Sequence, residues 1–191
     1  MNILNWIKSL FKINKPMQPK PIKKIYEERE LNSPNHTKDA MIVPKGVVFH
    51  HSCGAWLGDI EWIMNGSNPS KGIYASYHCL INHDGDRVVF GKDTERMWHA
   101  GASKWMGKNS CNDFMLGCAF SGSTYPEEQF GALLNDDQIN SAIEWLKPRF
   151  REWKFSLDFI TDHRQVSPHR KNDLNPTEWT KLLTAIKTQL K

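Results

Sequence analysis

Apolar positions in the first thirteen residues recur at helical spacing. Ile3, Leu4, Ile7, Leu10 and Phe11 share one side of a helix, with Asn5, Lys8 and Lys12 on the other. The pattern predicts a short basic amphipathic segment over 1–13. Over residues 14–45 it fades: Pro16, Pro19, Pro21, Pro34 and Pro44 stand among Lys and Asn, and large apolar residues are sparse. Such a stretch reads as a Pro/Lys-rich, semi-extended linker, with the compact domain over 46–191.

Within that domain the periodicity switches between two and 3.6. Gly46 to His50 (GVVFH) is a β-branched run suited to a buried strand, and Trp56 to Met64 fits a helix with Ile60, Ile63 and Met64 on one face. Tyr77 to Asn82 and Arg87 to Phe90 flank Asp84-Gly85, a hairpin signal. Met115 to Phe120 (MLGCAF) reads as another strand. Asn135 can cap a helix carrying Ile139, Ala142, Ile143 and Leu146, with Gln138 placed for a capping box and Pro148 expected to kink or end it. Phe159 to Thr161 predicts a last short strand. A final helix follows, capped by Asn175 or Thr177, with Pro176 in its first turn and Trp179, Leu182, Leu183, Ile186 and Leu190 on its apolar face. The fold class is α/β: a single mixed β-sheet flanked by about three main helices, without internal repeats.

Composition narrows the function. No apolar run approaches the ~20 residues that cross a bilayer. The four cysteines form no C-x-x-C pair, which excludes a zinc ribbon or thioredoxin motif and a disulfide-stapled scaffold. The net charge of +4 is unevenly placed: residues 1–45 hold nine Lys/Arg against four Asp/Glu, and residues 46–191 hold sixteen against seventeen. The main domain therefore lacks the basic face of a nucleic-acid binder, and no nucleic-acid partner is expected. The basic character sits in residues 1–24, where contact with an anionic membrane or wall is the functional reading and docking on the chain's own domain the bland one. The lysines interrupt the apolar residues and no A-x-A-like site closes the segment, so no secretory signal is expected.

Eight histidines carry the candidate chemistry. His50 and His51 end a strand, His163 follows another, and Asp173 lies ten residues further on. Strand ends present side chains to a cleft, where two imidazoles and a carboxylate would make a three-ligand set that leaves one position for water. The residues alone leave two readings open, hydrogen-bonded structural histidines or metal ligands. On a strand His51 points away from His50, so one of the pair at most belongs to such a set.

Five segments, GVVFHHSCG (46–54), ASYHCLINHDG (75–85), RMWHAGASKW (96–105), CNDFMLGCAFSG (111–122) and ITDHRQVSPHRKNDLNP (160–176), resemble the zinc-dependent N-acetylmuramoyl-L-alanine amidases in order and spacing. That superfamily includes phage lysozyme-type amidases, AmpD-type recycling amidases and animal peptidoglycan-recognition proteins. The resemblance implies an amidase/PGRP-like fold, zinc (Zn2+) held by His50, His163 and Asp173, and Lys171 stabilising an oxyanion. Tyr77 matches the phage-type enzymes; its hydroxyl would orient water or protonate the departing amine. Where AmpD-type enzymes carry a glutamate, this sequence has Ala119. Trp98, His99 and Trp105 would border the cleft and bind substrate.

The activity so implied is hydrolysis of the amide between N-acetylmuramic acid and L-alanine in peptidoglycan. The catalytic set favours a monomeric phage endolysin, made in the host cytoplasm and released by a holin. The alternatives are a cytoplasmic recycling amidase for anhydro-muropeptides and a non-catalytic recognition module. Binding of a phage RNA polymerase, known for some phage amidases, is a partner that the resemblance raises and these residues do not test.

Overall fold

The computed structural model describes residues 24–65, 74–122 and 133–190; the expected amphipathic segment over 1–13 lies outside them. The strands are β1 (Glu28–Glu30), β2 (His36–Met41), β3 (Val47–His51), β4 (Cys79–Ile81), β5 (Arg87–Val89), β6 (Glu95–Met97), β7 (Lys104–Trp105), β8 (Lys108–Asn109), β9 (Leu116–Phe120) and β10 (Ile160–Asp162). The helices are α1 (Trp56–Asn65), α2 (Asp136–Glu152), the single turn α3 (His163–Val166) and α4 (Pro176–Gln189).

Six strands form one sheet in the order β1-β5-β4-β9-β3-β10. Only the β4–β5 hairpin is antiparallel; the other four pairings are parallel. The central strands β3 and β9 read as continuous apolar runs because helices and loops cover both of their faces. On one face Val47, Phe49, Cys118 and Phe120 pack against α2 and α4 through Ile143, Trp145, Trp179 and Leu182. On the other face Leu80, Val88 and Ala119 pack under α1 through Ile63. The strict alternation of β3 sends Phe49 to the helical layer and leaves His50 on the opposite face.

Both capping boxes form as their residues suggest: Asn135 with Gln138 opens α2, and Asn175 with Glu178 opens α4 behind Pro176. Two expectations are corrected. The helix α2 does not end at Pro148 but runs on to Glu152. The Arg149 guanidinium donates to the Trp145 carbonyl at 2.9 Å, and the buried Trp145 and Leu146 anchor the turn before the proline.

The linker expected over 14–45 is corrected over residues 24–45. Its described part, residues 24–45, belongs to the fold: β1 pairs with β5 at the sheet edge, and β2 pairs with β6 across an irregularity that contains Asp39 at φ 60°. Polar side chains as well as apolar ones anchor this segment. The buried Ser33 and Asn35 donate to the Ile63 carbonyl at the end of α1, at 2.8 and 2.9 Å. A hydrophobicity pattern cannot register contacts of that kind.

Candidate active site

The site is built at the ends of parallel strands. His50 stands one residue before the end of β3, in register with Ala119 on β9. His163 opens α3 directly after β10. The turn begins there because the buried Asp162 accepts from the Gln165 N–H at 2.8 Å as its N-cap. The intervening loop returns Asp173 to His163: the Arg164 N–H donates to the Asp173 carbonyl at 2.7 Å and its Nε to the Leu174 carbonyl at 3.1 Å.

One ligating atom from each of His50, His163 and Asp173 lies within 4.8 Å of the others. The rings of His50 and His163 stand 4.4 Å apart, edge to face. Asp173 Oδ2 sits 3.3 Å from His163 Nδ1 and 3.8 Å from His50 Nδ1, and accepts from the His51 N–H at 3.2 Å. His50 Nδ1 is buried without a hydrogen-bond partner among the described residues. An unpartnered buried nitrogen is costly unless something binds it. Two imidazole nitrogens and a carboxylate oxygen so disposed are the donor set of a divalent transition-metal site.

The electrostatics suit neutral imidazole. Burial, then the neighbouring His163, His99, Lys171 and Arg170, hold His50 far below the ordinary histidine range. Burial alone would raise the Asp173 carboxyl. The hydrogen bond and charge of His163, the His51 N–H and Lys171 outweigh it and keep Asp173 ionised.

Lys171 therefore has its charge near both His50 and Asp173. The Tyr77 ring lies 5.1 Å from that of His50, and burial raises its hydroxyl above the ordinary phenol range. Tyr77 also lines a cavity of about 390 Å³ with Ser52, Asp59, Trp62, Ile63 and Ala75. There Asp59 accepts from Ser52 and Ser121 at 2.6 and 2.5 Å, and burial pushes its carboxyl up.

The aromatic candidates separate. Trp98 donates to Thr37 Oγ1 at 2.9 Å with its ring 5.9 Å from Tyr74, and Trp105 donates to the Asp158 carbonyl at 2.8 Å. Both are partly exposed. His99 corrects the expectation of a cleft-lining residue: it is 5% exposed, with Nε2 on the Met115 carbonyl at 3.0 Å and Nδ1 on His50 Nε2 at 3.1 Å. It lies under His50, closed to a sugar face.

Two residues that the sequence did not single out join this layer. Asn112 Oδ1 accepts from the His99 and Ala100 N–H groups at 3.2 and 2.8 Å. Arg170 reaches the Ala100 and Ala102 carbonyls at 2.5 and 3.2 Å.

Residues 40–176 match the domain family described as N-acetylmuramoyl-L-alanine amidase. The 1,6-anhydro-N-acetylmuramyl-L-alanine amidase AmpD of Haemophilus influenzae is 33% identical over 114 residues, 59% of each protein. Its Enterobacter cloacae counterpart is 30% identical over 115 residues, 59% of this chain and 58% of that one. The chain thus spans under two thirds of the length of these relatives. Among solved structures, a selenomethionine derivative of AmpD superposes with a TM-score of 0.65 at 24% identity, covering 85% of this chain and 96% of that one. AmpDh3 of Pseudomonas aeruginosa in complex with anhydromuramic pentapeptide gives 0.64 at 19%, covering 86% and 66%. A mutant endolysin from Bacillus subtilis gives 0.62 at 17%, covering 85% and 99%. At such identities the structural likeness is one of fold, but the sequence match extends from β2 to the start of α4, and on it the chain belongs to the N-acetylmuramoyl-L-alanine amidase family.

Proposed function

We propose that this protein hydrolyses the amide between the lactyl group of a muramic acid and L-alanine, with zinc held by His50, His163 and Asp173. The observation that carries the reading is the convergence of those three groups around an unpartnered, buried His50 Nδ1. A bound zinc would supply a water of pKa about 7 and polarise the scissile carbonyl. The chain's own residues do the rest. Lys171 places a compact positive charge where the substrate carbonyl oxygen becomes an oxyanion. Tyr77 keeps its proton through neutral pH, so it acts as a hydrogen-bond donor that orients water or serves the departing amine. Trp98 and Trp105, both partly exposed, offer faces for the sugar.

The substrate reading favours a soluble anhydro-muropeptide, because the relatives that share 30–33% identity are 1,6-anhydro-N-acetylmuramyl-L-alanine amidases. A second reading, lysis of intact wall as in an endolysin, rests on Tyr77 beside His50 and on Ala119 standing in register with His50, where no carboxylate can act.

One experiment separates them. New L-alanine amino groups are quantified from anhydro-muramoyl peptide and from crosslinked peptidoglycan, with chelator and after zinc is restored. Chelator-sensitive cleavage of the soluble peptide in preference to wall is the expected result. Preference for wall would turn the protein to the lytic reading. No chelator-sensitive release from either substrate would sink the amidase assignment.

A further inference from the structure

A histidine ligand binds a metal through one nitrogen, and what the other nitrogen touches decides which one is free. For His50 the other nitrogen touches a second histidine. The Met115 carbonyl can only accept, so His99 Nε2, 3.0 Å away, carries the proton of that ring. His99 Nδ1 is then a lone pair, and it faces His50 Nε2 at 3.1 Å. His50 must donate from Nε2, which strips Nδ1 of its proton and points a lone pair toward Asp173. The opposite polarity would need a doubly protonated His99. That cation would lie buried with one carbonyl and, among the described residues, no carboxylate in hydrogen-bond reach.

The next residue, Ala100, meets the other imidazole: His163 Nε2 lies 3.3 Å from its carbonyl, while His163 Nδ1 lies 3.3 Å from Asp173 Oδ2, so that ring has an acceptor on either side. This dipeptide is held with care. Asn112, 7% exposed, accepts from both of its N–H groups, and Arg170 holds the Ala100 carbonyl from the other side. Beneath it, a Cβ on Gly117 would come within 2.5 Å of His99 Cγ, so only glycine leaves room for the ring.

We propose that His99 is a positioning residue that presets the tautomer of the ligand His50, through a chain running Met115 carbonyl, His99, His50, metal. The proposal rests on reading the site as a metal centre, and is independent of which amide is cleaved.

The test uses full-length, metal-free protein labelled with nitrogen-15, in which long-range proton–nitrogen spectra assign each ring's tautomer. His50 is expected as the Nε2–H form at neutral pH. Zinc affinity is measured in parallel by chelator competition for wild type, His99→Leu and His99→Gln. Leucine removes both hydrogen bonds, whereas glutamine can donate to Met115 and accept from His50. Zinc should bind His99→Leu on the order of 10–100-fold more weakly, the range for lost partners of metal-ligating histidines, with His99→Gln recovering most of that loss.

If His99→Leu does not fold, the wild-type tautomer and His99→Gln decide. An Nδ1–H tautomer of His50, a folded His99→Leu with wild-type zinc affinity, or a His99→Gln as weak as leucine would each overturn the proposal. Wild-type protein that binds zinc with the expected tautomer yet cleaves no muropeptide would sink the amidase reading and leave this one standing.

Discussion

At the scale of single residues, Lys171 can be separated from the candidate ligand set beside it. Its charge is felt at His50 and Asp173, but it completes no bond of the His50–His163–Asp173 cluster. Lys171→Ala should therefore leave zinc stoichiometry intact while kcat falls about 10²–10³-fold, the usual cost of removing one oxyanion-stabilising donor. Rates on anhydro-muramoyl peptide at measured zinc occupancy check this; a loss explained wholly by lost zinc would assign Lys171 to metal binding instead. The three candidate ligands were legible because strand alternation separates His50 from His51 and because histidines and carboxylates at strand ends are few. Asn112 and Arg170 were not legible. Their partners are backbone atoms of residues 99–102, up to 70 positions away, and neither periodicity nor motif spacing encodes a contact to a distant carbonyl. His99 was found for the wrong reason: beside a tryptophan it looks like part of a sugar platform, yet Gly117 opens space beneath the ligands that draws it inward.

At the scale of elements, helix starts were easier to read than helix ends. Asn135 and Asn175 announce α2 and α4 because a capping box is a local, reciprocal bond pattern. Of the kink or end expected at Pro148 only the end is overturned, because the burial of Trp145 and Leu146 in the turn before it is not contained in a local rule. The α4 cap also carries a pH dependence. Glu178 is 4% exposed; burial pushes its carboxyl up to about 7, against the hydrogen bonds from the Asn175 and Leu134 backbone. A carboxyl whose folded pKa exceeds its unfolded value near 4.3 favours the folded state at acidic pH. Stability from this group is fully present below about pH 4 and is lost as pH rises through about 7. Glu178→Gln keeps the capping oxygen without the charge. The variant should melt higher than wild type at pH 8, with the advantage shrinking toward pH 5, as thermal denaturation at both values would register. An advantage equal at both pH values would remove the buried carboxyl as its cause.

At the scale of the whole molecule, the segment that composition sets aside as a linker closes the sheet edge. Tyr26, 8% exposed, covers the hairpin turn at Gly85, where φ is +87° and a Cβ would meet its ring at 2.5 Å. Its hydroxyl and Lys24 both reach Asp137 in the first turn of α2. Further along, β1 shields β5, Ser33 and Asn35 tie down the end of α1, and Ile42, 4% exposed, enters the main core. Burying Tyr26 and Ile42 contributes about 1.5–3 kcal/mol each by side-chain transfer, before any strand pairing is counted. Removing residues 1–45 should then lower Tm by on the order of 10 °C, at about 2–4 °C per kcal/mol for a chain of this size. It would also bare β5 as a new sheet edge, so the truncated protein should self-associate more than the full chain. Melting curves and sedimentation of the two proteins test both consequences. A truncated protein that melts with the full chain and self-associates no more than it does would return residues 24–45 to the status of a tether. Loss of stability with zinc affinity retained would place these residues in the scaffold. Loss of both would mean that α1, released from Ser33 and Asn35, no longer holds the face of the sheet on which His50 stands.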